Sequence, residues 1–149
     1  MALDMTVHGV PVKRRGPLVT WLLLIVTFGI YGLFHWYYVN REVRDFSASV
    51  GAPLGNRPGM SVLALFPGGF IIVPAIWTWV TTARRVRAVR LMALNGAPGE
   101  VTSVPLAVLL GFLYALNHPY LQASLNGTWD IAGATSAPMP AEVPAPPAG

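Results

Sequence analysis

Thr27-Phe28-Gly29-Ile30-Tyr31-Gly32-Leu33-Phe34-His35-Trp36-Tyr37-Tyr38-Val39-Asn40-Arg41-Glu42-Val43-Arg44 is the stretch on which the fold reading turns. Before it, Leu18 to Phe28 is uncharged and apolar. Within it the chain turns aromatic at Tyr31, Phe34, Trp36, Tyr37 and Tyr38, then charged at Arg41, Glu42 and Arg44. Hydrocarbon, headgroup zone and water follow one another in that order along the exit of a membrane helix. The stretch therefore predicts a first membrane span over about residues 18–39, near the ~20 residues that cross roughly 30 Å of hydrocarbon. Trp36, Tyr37 and Tyr38 are its expected interface anchors.

Composition points the same way. The chain is 54% hydrophobic and 11% charged, with a mean hydropathy of +0.53, whereas an ordinary soluble domain carries roughly a quarter charged residues. The formal net charge of +4 comes from cations clustered beside apolar segments. That pattern orients membrane helices and is not a nucleic-acid footprint. With no Cys in the chain, disulfides, thiolate zinc sites and cysteine nucleophiles are excluded.

Two further apolar segments lie at about 60–82 and 104–125. The first contains Pro67-Gly68-Gly69 and Pro74, so it is either a kinked span or a re-entrant segment folding at Pro67–Gly69. The expected fold is an all-α membrane protein, a bundle of three transmembrane helices. Short amphipathic juxtamembrane helices follow the first two spans, from Arg41 to Ser49 and to about Leu94. Residues 1–17 form a cytoplasmic leader, 18–130 the membrane domain, and 131–149 an Ala/Pro-rich tail expected to be disordered. Lys13, Arg14, Arg15, Arg84, Arg85, Arg87 and Arg90 would lie inside against Arg41, Arg44 and Arg57 outside, which predicts a cytoplasmic N-terminus.

Candidate site residues fall into three groups. Thr27, Tyr31 and His35 share one face of the first segment at i, i+4, i+8, and Tyr114, His118, Gln122 and Asn126 repeat the spacing on the third. The two stripes predict an intramembrane polar contact, or a proton or solute path if the histidines titrate. Arg41, Arg44, Arg84, Arg85, Arg87 and Arg90 are expected to meet anionic lipid headgroups or a partner protein. Trp129 joins the interface anchors. Phosphate loops, paired histidines on one turn and nucleophile elbows are missing, so the chain is expected to be no enzyme and to hold no cofactor and no metal.

Several motifs carry a family resemblance: Arg15-Gly16-Pro17, Thr27–Tyr31, Trp36–Phe46, Leu63–Phe70 with Ile72-Val73-Pro74, and Tyr120–Asn126 followed by Trp129. Together they resemble a family of small bacterial membrane proteins of unknown function, DUF4234, over about residues 13–130. The resemblance implies a multi-pass protein of the bacterial cell membrane and transfers no catalytic residue. His35, where an aromatic is more typical, and the cation-rich Arg84–Arg90 segment depart from that pattern. The expected role is an accessory or scaffold subunit of a membrane complex, with a membrane protein partner or a homo-oligomer and no nucleic acid. The alternatives are a small oligomeric channel or transporter-like protein, then a membrane-embedded lipid-modifying enzyme.

Overall fold

The computed structural model describes residues 3–55, 57–65, 72–113 and 115–136. Two strands, β1 (Leu3–Val7) and β2 (Val10–Arg14), precede six helices: α1 (Pro17–Val26), α2 (Ile30–Ser49), α3 (Pro58–Leu65), α4 (Ile72–Leu94), α5 (Val104–Phe112) and α6 (Asn117–Ile131). A short strand, β3 (Thr135–Ser136), follows. β1 pairs antiparallel with β2 from Leu3–Arg14 to Val7–Val10, and β3 joins its other edge through Met5 and Thr6. His8 and Gly9 make the β1–β2 turn with φ of 48° and 77°, the left-handed pair that a two-residue hairpin demands.

The helices form three antiparallel pairs. α1 ends where Thr27, Phe28 and Gly29 close a Schellman motif: Gly29 N–H donates to Leu24 O at 2.8 Å and Phe28 N–H to Ile25 O at 3.0 Å. Phe28 holds the left-handed position at φ 49°, normally given to glycine. The Thr27 hydroxyl serves both helices, donating to Leu23 O at 2.7 Å and accepting from Tyr31 N–H at 2.9 Å. The chain reverses there, since Arg15 meets Glu42 and Leu24 lies against Gly32, where an added Cβ would come within 2.9 Å of Leu24 Cδ1.

The other pairs repeat this direction. Ser61 of α3 accepts from Thr78 and Arg85 of α4, and Ser103 beside α5 donates its N–H to the Tyr120 hydroxyl of α6. Trp36–Thr78 and Asn40–Thr82 bonds step together along α2 and α4, so these two run parallel, and Arg90–Ser124 aligns α4 with α6. The ends of α1, α3 and α5 and the starts of α2, α4 and α6 consequently share one end of the molecule, called the tip. The buried core sits at the other end, the base. Val39, Val43 and Phe46 of α2, Val86 and Val89 of α4, and Leu121, Leu125 and Trp129 of α6 pack there with Val7 and Val12 of the sheet.

The three-span reading is overturned. Span 18–39 reverses at Phe28-Gly29, span 104–125 is split between α5 and α6 with Ala115 at φ 56°, and segment 60–82 is divided between α3 and α4. Pro67–Gly69 lie outside the described residues. Among the described residues no helix is long and apolar enough to cross a membrane. The bundle of three transmembrane helices is withdrawn, and with it the multi-pass placement in a bacterial cell membrane with a cytoplasmic N-terminus. The physical reason is local: capped turns satisfy the backbone polar groups that a through-going helix would have paired internally. Nor is the fold all-α, because part of the leader forms β1 and β2. Arg41–Ser49 is no separate juxtamembrane helix but the second half of α2, with Glu42, Val43, Phe46 and Ser47 buried and Arg41 and Arg44 exposed. Of the expected tail, Ile131 closes α6 and Thr135–Ser136 form β3; residues 137–149 lie outside the described residues.

Candidate functional site

Two features set the chemistry of this molecule: a polar seam inside the bundle and an apolar surface at the tip. In the seam, His35 of α2 and His118 of α6 face each other with ring centroids 5.6 Å apart, and Tyr31 stacks on His35 at 6.1 Å. His118 Nδ1 lies 2.9 Å from Asn117 Oδ1. Its Nε2 and both His35 ring nitrogens are buried without a hydrogen-bond partner. Burial holds His118 down at about 4. His35 lies well below the ordinary imidazole value through burial first, then the His118 and Arg15 charges. Both rings are therefore neutral at pH 7. Among the described residues no three His, Asp or Glu side chains are grouped for a metal ion.

Toward the base the seam becomes ionic. Arg15 Nη2 donates to Glu42 Oε1 at 2.7 Å, and both side chains are 7% exposed. Asn126 ties the same residue by its backbone, donating from Nδ2 to Arg15 O at 2.7 Å and accepting from Gln122 Nε2 at 2.9 Å. Burial raises the Glu42 carboxyl, and the charge and hydrogen bond of Arg15 oppose that shift. A second polar cluster joins α2, α3 and α4. Asn40 Nδ2 donates to Trp36 O and Thr82 Oγ1, and Asn40 Oδ1 accepts from Arg85 Nη1 at 2.9 Å.

The structure brings Tyr31, His35 and His118 together but sends Gln122 and Asn126 to Arg15. Thr27 stays at the α1–α2 turn, and Tyr114 lies outside the described residues. Trp36 and Trp129, expected at the headgroup level, are fully buried; Trp36 Nε1–H donates to Thr78 Oγ1 at 3.1 Å. Tyr37 and Tyr38 remain partly exposed. Arg41 and Arg44 pair with Asp45. Arg87 and Arg90 donate to the carbonyls of Thr102, Glu100 and Ser124, while Arg84 is exposed. Arg15, Glu42, Asn40 and Ser61 escaped sequence reasoning. Apart from the Asn40–Trp36 O bond, their side-chain partners lie 21 or more residues away, beyond any helical spacing.

The tip is the reverse of the seam. Phe28 is 98% exposed and Val26 72%, and Ile30, Phe34, Leu63, Trp77, Leu109 and Phe112 are also exposed. All of α1 is uncharged, as are Ile30 to Asn40 of α2, Ile72 to Ala83 of α4 and all of α5. At 1.5 Å per residue these segments carry the surface roughly 15–18 Å from tip to first charge. Contiguous apolar surface of this kind marks a protein or lipid interface.

The fold and its surfaces thus define a class: three short helical hairpins with a polar seam, an apolar tip and a charged base. The chain belongs to the family described as domain of unknown function (DUF4234), whose match covers residues 15–116. The closing Tyr120–Trp129 motif lies beyond the matched residues. No curated protein and no solved structure matches the chain.

Proposed function

We propose that the chain is a non-catalytic accessory or scaffold module that sits on a lipid surface, dipping its hairpin tips into one leaflet without crossing. The observation that carries this reading is the depth of the charge-free tip. A depth of roughly 15–18 Å corresponds to half of a ~30 Å hydrocarbon core. Partly exposed Tyr37 and Tyr38, just before Arg41, suit the headgroup boundary. Transfer of each exposed Leu, Ile or Phe to hydrocarbon contributes ~1.5–3 kcal/mol, so a few inserted side chains suffice for binding. The base, carrying the sheet and the charged helix ends, is left for a partner protein.

Flotation with uncharged vesicles tests the reading. The wild-type protein is expected to float, and Phe28→Gly combined with Phe112→Ser to remain with the soluble fraction. Phe28→Gly also releases left-handed strain of ~1–2 kcal/mol, so its loss of binding is not unfolding. Equal flotation of both proteins would overturn lipid insertion. A pure homo-oligomer in mass spectrometry of nanodisc-purified material would overturn the accessory role.

A further inference from the structure

We propose that the cavity between α3 and α4 is a cradle for the phosphate of a glycerophospholipid headgroup, with Arg85 and Arg57 as its cations; this rests on the one-leaflet reading. The cavity measures about 240 Å³ and is lined by Arg57, Met60, Ser61, Trp77, Thr81 and Arg85, among others. It is several times the ~30 Å³ share of one water molecule. Its two ends differ in chemistry, as a lipid does. Trp77, largely exposed, stands on the tip side, and Arg85 lies two turns beyond it on the same helix, toward the base.

Lys13, Arg14, Arg15, Arg41 and Arg44 each have a carboxylate partner. Among the described residues Arg57, Arg84, Arg85, Arg87 and Arg90 have none, and of these it is Arg57 and Arg85 that line the cavity. Arg85 is half-buried and donates through Nη1 only to neutral acceptors, Asn40 Oδ1 at 2.9 Å and Ser61 Oγ at 3.2 Å. A guanidinium carries five N–H donors in a planar fork that matches phosphate oxygens. The two acceptors orient that fork and leave Nε and Nη2 for an anion. Burial also disfavours the charged form of Arg85, an expense that a bound phosphate would offset. At roughly 20 Å from the start of α4, Arg85 sits just beyond the hydrocarbon half-thickness, where lipid phosphates lie.

Binding to phosphate-free galactolipid vesicles is compared with binding to the same vesicles containing phosphatidylglycerol. Wild type is expected to bind more tightly when phosphatidylglycerol is present. Arg85→Gln and Arg57→Gln each lose more than about tenfold of that gain, whereas Arg84→Gln, one residue away and exposed, loses no more than the about fivefold that any surface cation contributes. Arg57 is exposed, so its variant keeps the fold even if Arg85→Gln does not. Equal losses for all three variants overturn the cradle and leave diffuse attraction. Failure of wild type to bind galactolipid vesicles counts against the one-leaflet reading alone. The cradle is then decided by calorimetric titration with monomeric dihexanoylphosphatidylglycerol, where an Arg85-dependent heat supports it and no heat overturns it. Inorganic phosphate binding as tightly as the short-chain lipid would make the site a free-anion site and overturn the lipid assignment.

Discussion

His118 shows how much a single side chain depends on its surroundings. Its ring is buried beside Trp36, at 5.1 Å between centroids, and beside His35, so the folded protein holds it at about 4 against an ordinary 6.5. The unfolded chain binds the proton first, and stability therefore rises with pH between those values. Lowering the pH from 7 to 4 is expected to remove on the order of 3 kcal/mol, with the loss beginning near 6.5 and levelling off below about 4. Urea denaturation at stepped pH measures the slope, and His118→Gln should flatten much of it. An unchanged slope in that variant would assign the pH dependence to other groups. The i, i+4 spacing made Tyr31, His35 and His118 legible as residues of two facing stripes. Gln122 and Asn126 were legible only as polar, because what decides their partners is where Arg15 enters from 107 or more residues away.

At the scale of elements, the Arg15–Glu42 pair fastens the start of α1 to α2 and, through Gln122 and Asn126, to α6. With both side chains 7% exposed, removing one leaves the other charged and buried. Arg15→Ala or Glu42→Ala is expected to destabilise by ~3–5 kcal/mol, whereas Arg15→Met with Glu42→Leu should return to within about 1 kcal/mol of wild type. A double-mutant cycle read by urea denaturation distinguishes the cases, and a double variant as unstable as either single one would show that the pair itself contributes net stability. The helices themselves were legible from apolar content and from the polar punctuation between them. Their reversals were not. Phe28-Gly29 and Ala115 carry only one glycine between them, and a left-handed Phe28 or Ala115 runs against the intrinsic preference of both residues. The β1–β2 hairpin carries a signal, His8-Gly9 between the alternating residues of Met5–Val7 and Val10–Val12, that charge and hydropathy, which make residues 1–17 a leader, do not register.

Over the whole molecule, the shared direction of the helix pairs puts the ends of α1, α3 and α5 at one end and the packed core at the other. One-leaflet seating then predicts one-sided exposure. Because the chain has no Cys, single cysteines can be placed cleanly at Ala52, Ala97 and Phe28 in vesicle-bound protein. Ala52 and Ala97 are expected to react with a membrane-impermeant maleimide added outside, and Phe28 to be protected until detergent is added. Reaction of Ala52 and Ala97 from opposite sides would require a crossing and overturn the arrangement.

The sequence by itself determined the helical content, the unusually apolar composition, the placement of charges about a dozen residues from each turn, and family membership through its dispersed motifs. Tertiary structure alone decided whether each apolar segment continued or turned back. Hydropathy counts residues along the chain and is blind to the sign of φ at Phe28 and Ala115, yet two left-handed residues separate a span from a hairpin. The tertiary structure also decided that Trp36 and Trp129 belong to the core, because burial of an aromatic ring is a property of what packs around it and not of its neighbours in sequence.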